Sequence, residues 1–200
     1  MDIIEKALIF ATQAHLTQKR RHSGLPYIVH PIEVMKRLSD YGVKNDHLLA
    51  AAVLHDVLED CPEEYRSRLM SEFGSDVYYL VSDCTRRNND RSTNTEKYAF
   101  LLSFEKKPLE AVILKIADRF CNVQDYLKVG MDEYASFYAL QAYPLYQTFI
   151  NRFSRSELDS KVCVKVLSDV VDLNITINEK YGSISCFVAN MRDAVEQIVL

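Results

Sequence analysis

Apolar residues recur every three or four positions along most of the chain, which is the spacing of helices that bury one face. No stretch alternates apolar and polar residues in the way that a half-buried strand requires. Breakers and capping residues divide the pattern into helices, which we predict over residues 2–17, 31–41, 48–61, 62–81 with a break at Gly74, 95–105, 109–127, 132–153 with a kink at Pro144, 156–174 and 183–200. The pattern therefore predicts an all-α fold, a single compact bundle of about eight to ten helices.

The segment predicted as one helix over residues 48–61 changes character halfway along. Its first half is apolar, and its second half carries ionisable side chains. At about 100° per residue, His55 and Glu59 would share one ridge of this helix while Asp56 and Asp60 share the next. Acidic residues near a helix end often form only a solvated face. Three carboxylates and an imidazole next to a buried segment repel one another, however, and this favours a bound cation.

His30 and Asp118 are the best candidates to complete a metal site with His55 and Asp56. His30 precedes Pro31 at the entrance of a predicted helix, and Asp118 follows a nearly continuous apolar run in which an unpaired charge would cost several kcal/mol. Taken singly, His30 could be a cap or a core residue, and Asp118 could pair with a neighbouring cation. Together the four offer nitrogen and oxygen ligands without thiolate, a set that suits Mn²⁺ or Fe²⁺ and also accommodates Zn²⁺, Co²⁺ or Mg²⁺.

Two polar loops carry most of the remaining candidate chemistry. The loop before Tyr27 contains a cluster of basic side chains: Lys19, Arg20, Arg21 and His22. These could hold a diphosphate, and an arginine could also stack on a purine, but an ordinary solvated loop has the same composition. Residues 83–94 form the most polar stretch and predict a surface loop. Its three arginines could contact phosphate, but we expect them to be solvated: Arg86, Arg87 and Arg91.

Composition narrows the class of protein. The 200 residues have a formal net charge of −4 and no long block of like charges, so we expect one domain, residues 1–200, that does not bind nucleic acid. The five cysteines are scattered without a C-x-x-C pair, which predicts reduced thiols rather than a zinc site or disulfides. The chain has no signal-peptide pattern and no apolar run approaching about 18 residues. We therefore expect a soluble, cytoplasmic protein that does not contact membranes.

Three motifs resemble a known family. The order His30, then His55 and Asp56, then Asp118 resembles the H…HD…D signature of the HD-domain metal-dependent phosphohydrolases. More narrowly, GLPYIVHP at residues 24–31, LHDVLED at 54–60 and LKIADRFCN at 114–122 resemble the hydrolase domain of RelA/SpoT proteins and the stand-alone small alarmone hydrolases. The resemblance runs in order from about residue 5 to residue 130.

This resemblance implies an all-α HD-domain fold and a mechanism. One Mn²⁺ would be bound by His30, His55, Asp56 and Asp118, while Glu59 and Asp60 match the carboxylate pair assigned to activating water. The implied reaction removes the 3′-pyrophosphate of (p)ppGpp, guanosine 5′-diphosphate or 5′-triphosphate 3′-diphosphate, giving GDP or GTP and pyrophosphate. The predicted substrate contacts are Arg20, Arg21, His22, Tyr27 and Asn122, the last of which matches a position that contacts the nucleoside. Arg119 is expected to brace the acidic helix through an ion pair.

Departures from the family pattern leave the substrate open. Arg21-His22-Ser23-Gly24 stands where the family usually has Arg-Lys-Ser-Gly, and this loop has one apparent insertion. The alternatives are an HD phosphatase acting on another nucleotide, such as an adenosine alarmone, the 2′-phosphate of NADPH or a nucleoside monophosphate, and a catalytically silent nucleotide-binding regulator. The intact Glu59-Asp60 pair argues against the regulator.

The resemblance fades after Gly130, where an aromatic helix follows. Its rings are Tyr134, Phe137, Tyr138, Tyr143, Tyr146 and Phe149. We expect these rings to pack either in the core or between two copies of the chain. Packing between two copies would give a homo-oligomer. No synthetase or regulatory domain is recognisable, so we expect a hydrolase that stands alone.

Overall fold

The computed structural model describes residues 1–86, 93–153 and 160–181. Its helices are α1 (Ile3–Ala14), α2 (Val29–Tyr41), α3 (Asp46–Leu54), α4 (Val57–Asp60), α5 (Glu63–Arg66), α6 (Leu69–Cys84), α7 (Asn94–Leu102), α8 (Leu109–Lys128), α9 (Asp132–Gln141), α10 (Tyr143–Phe153) and α11 (Ser160–Tyr181), with a 3-10 turn at Ser103–Lys106. The described residues include no strand, only an isolated bridge between Lys19 and Pro26. The predicted all-α fold is confirmed.

Local sequence sets several helix ends where the pattern predicted them. The Asp2 side chain accepts a hydrogen bond from the Glu5 N–H and forms a capping box at the start of α1, and Asn45 caps α3. Gly42 ends α2 with a φ of 100°, and Gly74 breaks α6 with a φ of 80°. Glycine adopts this left-handed region without the penalty that a Cβ atom would bring.

Helix α3 lies at the centre of the bundle. Residues 48–54 are all buried, and α1, α2 and α6 pack around them. Helix α8 packs against α2, α6, α9 and α10 and buries residues along most of its length. Helix α3 is apolar on every side over residues 48–54, and such a helix is stable only where other helices surround it. This packing holds the start of α2, the end of α3 and the middle of α8 close together.

The prediction of one helix over residues 48–61 is wrong. Helix α3 ends at Leu54, His55 and Asp56 form a turn, and α4 begins at Val57. The Ala52 carbonyl, whose partner in a continuous helix is the amide of residue 56, accepts a hydrogen bond from Nδ1 of His55 at 2.7 Å. A side chain that competes for a backbone carbonyl in this way weakens the helical ladder.

The later helices also differ from the predicted ranges. Residues 132–153 form two helices rather than one kinked helix, with Pro144 in the first turn of α10, where its missing N–H costs nothing. Helix α11 begins at Ser160 and runs to Tyr181, beyond the predicted end at residue 174. The predicted helix over 183–200 and residues 87–92 of the loop over 83–94, which include Arg87 and Arg91, lie outside the described residues. None of the described helices combines the length and apolar character needed to cross a membrane.

Candidate active site

Three helices bring His30, His55 and Asp118 together. His30 lies in the first turn of α2, His55 directly follows α3, and Asp118 lies midway along α8. Nε2 of His30 is 3.1 Å from Oδ1 of Asp118, and Nε2 of His55 is 3.6 Å from the same oxygen. All three residues are buried, and their ligand atoms lie within 4.8 Å of one another. They could hold a metal ion.

Asp56, the fourth predicted ligand, reaches the same point. Its Oδ2 atom lies 3.1 Å from Nε2 of His55 and 3.8 Å from Nε2 of His30. The turn between α3 and α4 places Asp56 directly after His55, so both side chains reach the cluster from one short segment. The structure therefore brings together all four residues that the sequence suggested as ligands.

The state of His55 fits a bound cation. The Ala52 carbonyl can only accept, so Nδ1 of His55 carries a hydrogen, and Nε2 is the atom that faces Asp56 and Asp118. This Nε2 atom is buried and has no hydrogen-bond partner among the described residues. Burial alone would lower the pKa of His55, but the Asp56 and Asp118 carboxylates raise it to about 10. The cluster thus favours a positive charge at the position where a divalent metal would lie.

Asp118 is oriented by two neighbours on its own helix. Nζ of Lys115 forms an ion pair with Oδ2 at 2.8 Å, and Asn122 donates to Oδ1 at 2.7 Å. Lys115 also donates to the Cys84 carbonyl at 3.3 Å, which ties it to α6. Burial would raise the pKa of Asp118, yet Lys115 and the two histidines hold this pKa well below its usual range. Asp118 therefore forms an ion pair with Lys115 and also belongs to the cluster, so the two explanations considered for it are compatible.

Glu59 and Asp60 lie on α4 beside this cluster. Oε2 of Glu59 accepts a hydrogen bond from the Arg86 N–H at 2.9 Å, and its Oε1 lies 3.7 Å from the Arg86 guanidinium. Burial raises the pKa of Glu59. Burial, followed by the charges of Asp56 and Glu59, raises the pKa of Asp60 to about 7. A carboxylate with a pKa near 7 can accept and release a proton at neutral pH.

Tyr27 connects the predicted ligands with the predicted base. Its hydroxyl lies 2.7 Å from Oδ2 of Asp56, to which it donates, and 3.2 Å from Oδ2 of Asp60. The Tyr27 ring stacks on the buried His15 ring at a centroid distance of 4.7 Å. Tyr27, predicted as a substrate contact, therefore holds two carboxylates in place as well as lining the cavity described below.

Arg20, Arg21 and His22 of the predicted basic loop line one small cavity, and Arg20 is also bound by side chains of α8. Arg20 donates to Oδ2 of Asp125 from Nε at 3.1 Å and from Nη2 at 2.7 Å, and to Oδ1 of Asn122 at 2.7 Å. Through Asn122 it is connected to Asp118. Arg21 and His22 line a smaller cavity of about 110 Å³, whose other lining residues are Arg20, Ser23, Asp125, Tyr126 and Tyr134.

A larger cavity of about 310 Å³ opens directly onto the cluster. Four carboxylates form what we call the acidic wall: Asp56, Glu59, Asp60 and Asp118. Helices α7 and α9 supply what we call the α7–α9 wall: Asn94, Lys97, Phe100, Tyr134, Phe137, Tyr138 and Gln141. Arg86, Lys115 and Arg119 also line the cavity. The cavity therefore joins an acidic cluster to basic and aromatic side chains, as a site for a phosphorylated aromatic ligand requires.

The sequence profile of the HD domain matches residues 7–153, which is most of the chain. The chain belongs to the HD-domain family. The profile match extends beyond residue 130, where the motif resemblance ended, and it covers α9 and α10. The α7–α9 wall is thus part of the HD domain.

Similar proteins of named function share the same domain. The chain is 34% identical over 123 residues to a guanosine-3′,5′-bis(diphosphate) 3′-pyrophosphohydrolase of Aquifex aeolicus, covering 60% of this chain and 17% of that protein. It is 30% identical over 129 residues to a protein of the same name from Vibrio cholerae, covering 62% and 18%. A GTP pyrophosphokinase of Myxococcus xanthus is 26% identical over 172 residues, covering 81% and 22%. The chain spans about a fifth of the length of these relatives, and the resemblance to RelA/SpoT proteins is confirmed.

A solved structure supports the fold. It is described as a metazoan ortholog of SpoT that hydrolyses ppGpp and plays a role in starvation responses. The two chains superpose with a TM-score of 0.69 at 23% sequence identity, covering 91% of this chain and 97% of that one. The arrangement of helices is therefore that of this solved structure.

Two expectations about arginines of this HD domain are wrong. Arg86 is not a solvated loop residue, because it is half-buried and binds Glu59 through its amide and its guanidinium. Arg119 does not brace the acidic helix. Its Nη1 donates to the Tyr138 carbonyl at 3.3 Å, and its guanidinium lies 3.9 Å from the centroid of the Tyr138 ring. Residues 118 and 119 point about 100° apart on a helix, so Arg119 faces α9 while Asp118 faces the histidines.

The aromatic stripe has two roles rather than one. Tyr146 and Phe149 lie in the core as predicted, but Tyr134, Phe137 and Tyr138 line the cavity. Helical spacing does not distinguish a core face from a cavity face, so periodicity missed this. Sequence reasoning also passed over Lys97, Phe100 and Lys115 as cavity residues. A signal existed only for Lys115, which precedes Asp118 by three positions and so shares its helix face.

Proposed function

We propose that this HD domain is a metal-dependent hydrolase that removes the 3′-pyrophosphate of (p)ppGpp and yields GDP or GTP and pyrophosphate. The observation that carries the proposal is the convergence of His30, His55 and Asp118 beside a cavity that Asp118 lines together with the carboxylate pair Glu59 and Asp60. The basic and aromatic residues of the same cavity suit a purine nucleotide. The names of similar proteins from Aquifex aeolicus and Vibrio cholerae point to this reaction.

The proposed metal ligands are His30, His55, Asp56 and Asp118. Two imidazoles and two carboxylates without thiolate favour Mn²⁺ among the candidates, with Fe²⁺ as the nearest competitor. When bound there, a divalent cation supplies positive charge for the phosphate oxygens and makes water more acidic. Lys115, Asn122 and Tyr27 would keep the carboxylates of Asp118 and Asp56 turned toward it.

Asp60 is the proposed general base. It would take a proton from the attacking water, whose oxygen bonds to the phosphorus while the bond to the 3′-oxygen breaks. The 3′-oxygen leaves as a hydroxyl by taking a proton from solvent, and Asp60 returns its own proton to solvent. Glu59, held by the Arg86 amide at 2.9 Å, would orient the water beside Asp60. General base catalysis of this kind contributes about 10²–10⁴-fold to a rate.

Substrate specificity is proposed to come from the remaining cavity residues. Phe100, Phe137 and Tyr138 offer flat apolar surface for a purine, and Arg86 can neutralise phosphate charge near Glu59. Arg21 and His22, in the smaller cavity next to Tyr134, are proposed to contact the outer part of the nucleotide.

The decisive experiment is a substrate panel. The purified protein is incubated with ppGpp, ppApp, NADPH and nucleoside monophosphates, each with Mn²⁺ and with excess chelator, and products are separated by anion exchange. We expect GDP and pyrophosphate from ppGpp with Mn²⁺ and no turnover with chelator. A Glu59→Gln, Asp60→Asn double variant should still bind ppGpp but not cleave it. Intact ppGpp together with loss of phosphate from NADPH would transfer the assignment to another nucleotide.

A further inference from the structure

We infer that Arg119 and Lys97 form a second anion subsite in the cavity, beside the metal centre, that binds the 5′-phosphate groups of the nucleotide. The inference rests on the proposed function, because it assigns a role to the end of the substrate that does not react.

Arg119 is a buried cation whose polar contacts are incomplete. The residue is 4% exposed, and its guanidinium makes no ion pair within the part of the chain that the structure describes. It contacts the Tyr138 carbonyl and ring, while its Nε is buried with no hydrogen-bond partner there. A buried charge without a counter-ion costs free energy, and this cost is offset when an anion binds. Because Arg119 also lines the cavity, a bound anion can reach it.

The other cations of the cavity show which charges remain available. Arg86 pairs with Glu59, and Lys115 pairs with Asp118. Lys97 is half-buried on α7, lines the same cavity and, like Arg119, has no carboxylate partner among residues 1–86, 93–153 and 160–181. The carboxylates of the acidic wall are engaged by His30, His55, Tyr27 and Arg86. Two positive charges are therefore left to meet charge on the ligand.

The positions of Arg119 and Lys97 indicate which part of the ligand they would bind. The reacting diphosphate has to lie at the cluster formed with Asp118, whereas Arg119 faces Tyr138 on α9 and Lys97 lies on α7. Aromatic residues of the α7–α9 wall, among them Phe100 and Tyr138, lie alongside. A nucleotide with phosphates on both sides of its ribose can meet both places at once, and the planar guanidinium can bind two phosphate oxygens together.

Two substrates that differ only at the 5′ position test the inference. We would compare kcat/KM for guanosine 5′-diphosphate 3′-diphosphate with kcat/KM for guanosine 3′-diphosphate, which has no 5′-phosphate. The wild type should prefer the first by a factor on the order of 10 or more. Arg119→Met and Lys97→Met should each lower kcat/KM for the first substrate far more than for the second and so remove most of this preference. Lys36→Met, at a site whose side chain is 73% exposed, is the matched control and should keep the preference.

A purely structural role for these cations would produce a different result. Loss of α8–α9 contacts in Arg119→Met would slow both substrates equally and leave the preference intact, and that result in both variants would overturn the inference. Arg119→Lys keeps the charge and should retain part of the preference. Lys97 is only half-buried, so its variant tests the same point if Arg119→Met does not fold.

Binding of GDP keeps this test separate from the test of the function. GDP carries a 5′-diphosphate alone, and its affinity for the protein in chelator should fall about tenfold in both variants, as measured by calorimetry. If the wild type cleaves neither guanosine substrate but binds GDP in this way, the proposed function fails and the subsite stands. If ppGpp is cleaved and neither preference nor GDP affinity changes, the subsite fails and the function stands.

Discussion

The acidic wall and the α7–α9 wall of the cavity differ in how firmly their side chains are held. Asp56 contacts His55 and Tyr27, and Asp118 contacts His30, Lys115 and Asn122, all at 3.1 Å or less. On the other wall Tyr134 and Phe137 are 43% and 47% exposed, and Lys97 has no ion pair among the described residues. Groups that bind a metal and activate water require fixed positions, whereas contacts to the rest of a substrate tolerate adjustment. The comparison suggests that chemistry is set by one wall and selectivity by the other.

Removing a proposed ligand should have the largest effect. His55→Ala takes away the Nε2 atom that faces Asp56 and Asp118, so we expect bound Mn²⁺ to fall below one per chain by elemental analysis and activity to fall by several orders of magnitude. His47→Ala is the matched control, because that histidine lies on α3, the helix that His55 directly follows, and its side chain is 52% exposed. Full metal content in His55→Ala would contradict the ligand assignment.

Removing the proposed base should affect catalysis without affecting the metal. For Asp60→Asn we expect kcat to fall about 10²–10⁴-fold, because the amide cannot take a proton, while Mn²⁺ affinity by calorimetry stays near that of the wild type. Asp40→Asn, whose side chain is 56% exposed on α2, should behave as the wild type. Equal losses of metal and of activity in Asp60→Asn would instead make Asp60 part of the metal site.

The affinity for Mn²⁺ should depend on pH. The pKa of His55 is raised to about 10 in the metal-free protein, so below that pH the ring is protonated and each bound cation must displace one proton. Affinity should therefore rise with pH, about tenfold per unit between pH 6 and 8. Calorimetry in two buffers with different ionisation enthalpies measures the released proton directly. An affinity that is flat over this range would show that His55 is already neutral.

The partner of Asp118 should make a smaller contribution. Lys115→Met leaves Oδ2 of Asp118 without its contact at 2.8 Å, and loss of a group that orients a ligand typically costs about 10–100-fold in metal affinity. Lys115→Arg should recover part of the loss, and Lys128→Met, at the exposed end of α8, should show none. Thermal unfolding of the metal-free proteins separates this effect from a general loss of stability. Unchanged metal affinity in Lys115→Met would indicate that Asn122 suffices to orient Asp118.

The smallest effect is expected for Tyr27→Phe. The Tyr27 hydroxyl, 3.2 Å from Oδ2 of Asp60, lowers the pKa of Asp60 against the stronger effects of burial, Asp56 and Glu59, so its removal should raise that pKa. Because Asp60 acts as a base only when ionised, the acidic limb of the kcat profile should move to higher pH by less than about one unit. The measurement is kcat against pH at saturating Mn²⁺, and a limb that moves to lower pH would reverse the proposed role of Tyr27.

Much of the fold and of the candidate site could be predicted from the sequence. Helical spacing predicted the all-α fold, the end of a helix at residue 41 and a break at Gly74, all of which the structure contains. The candidate ligands could also be recognised in the sequence, because each stands at a helix entrance or interrupts an apolar run. A charged residue where burial is expected is informative in sequence alone, since burying it costs free energy unless a partner exists.

Only the tertiary structure decided the break at His55 and the composition of the α7–α9 wall. The break depends on a side chain that bonds the Ala52 carbonyl, while the apolar pattern continues through it. Tyr134, Phe137 and Tyr138 have the spacing of core residues, and Arg119 follows Asp118 in the chain but faces another helix. Periodicity gives the face of a helix on which a side chain lies, but whether that face meets a neighbour or a cavity depends on how distant segments pack.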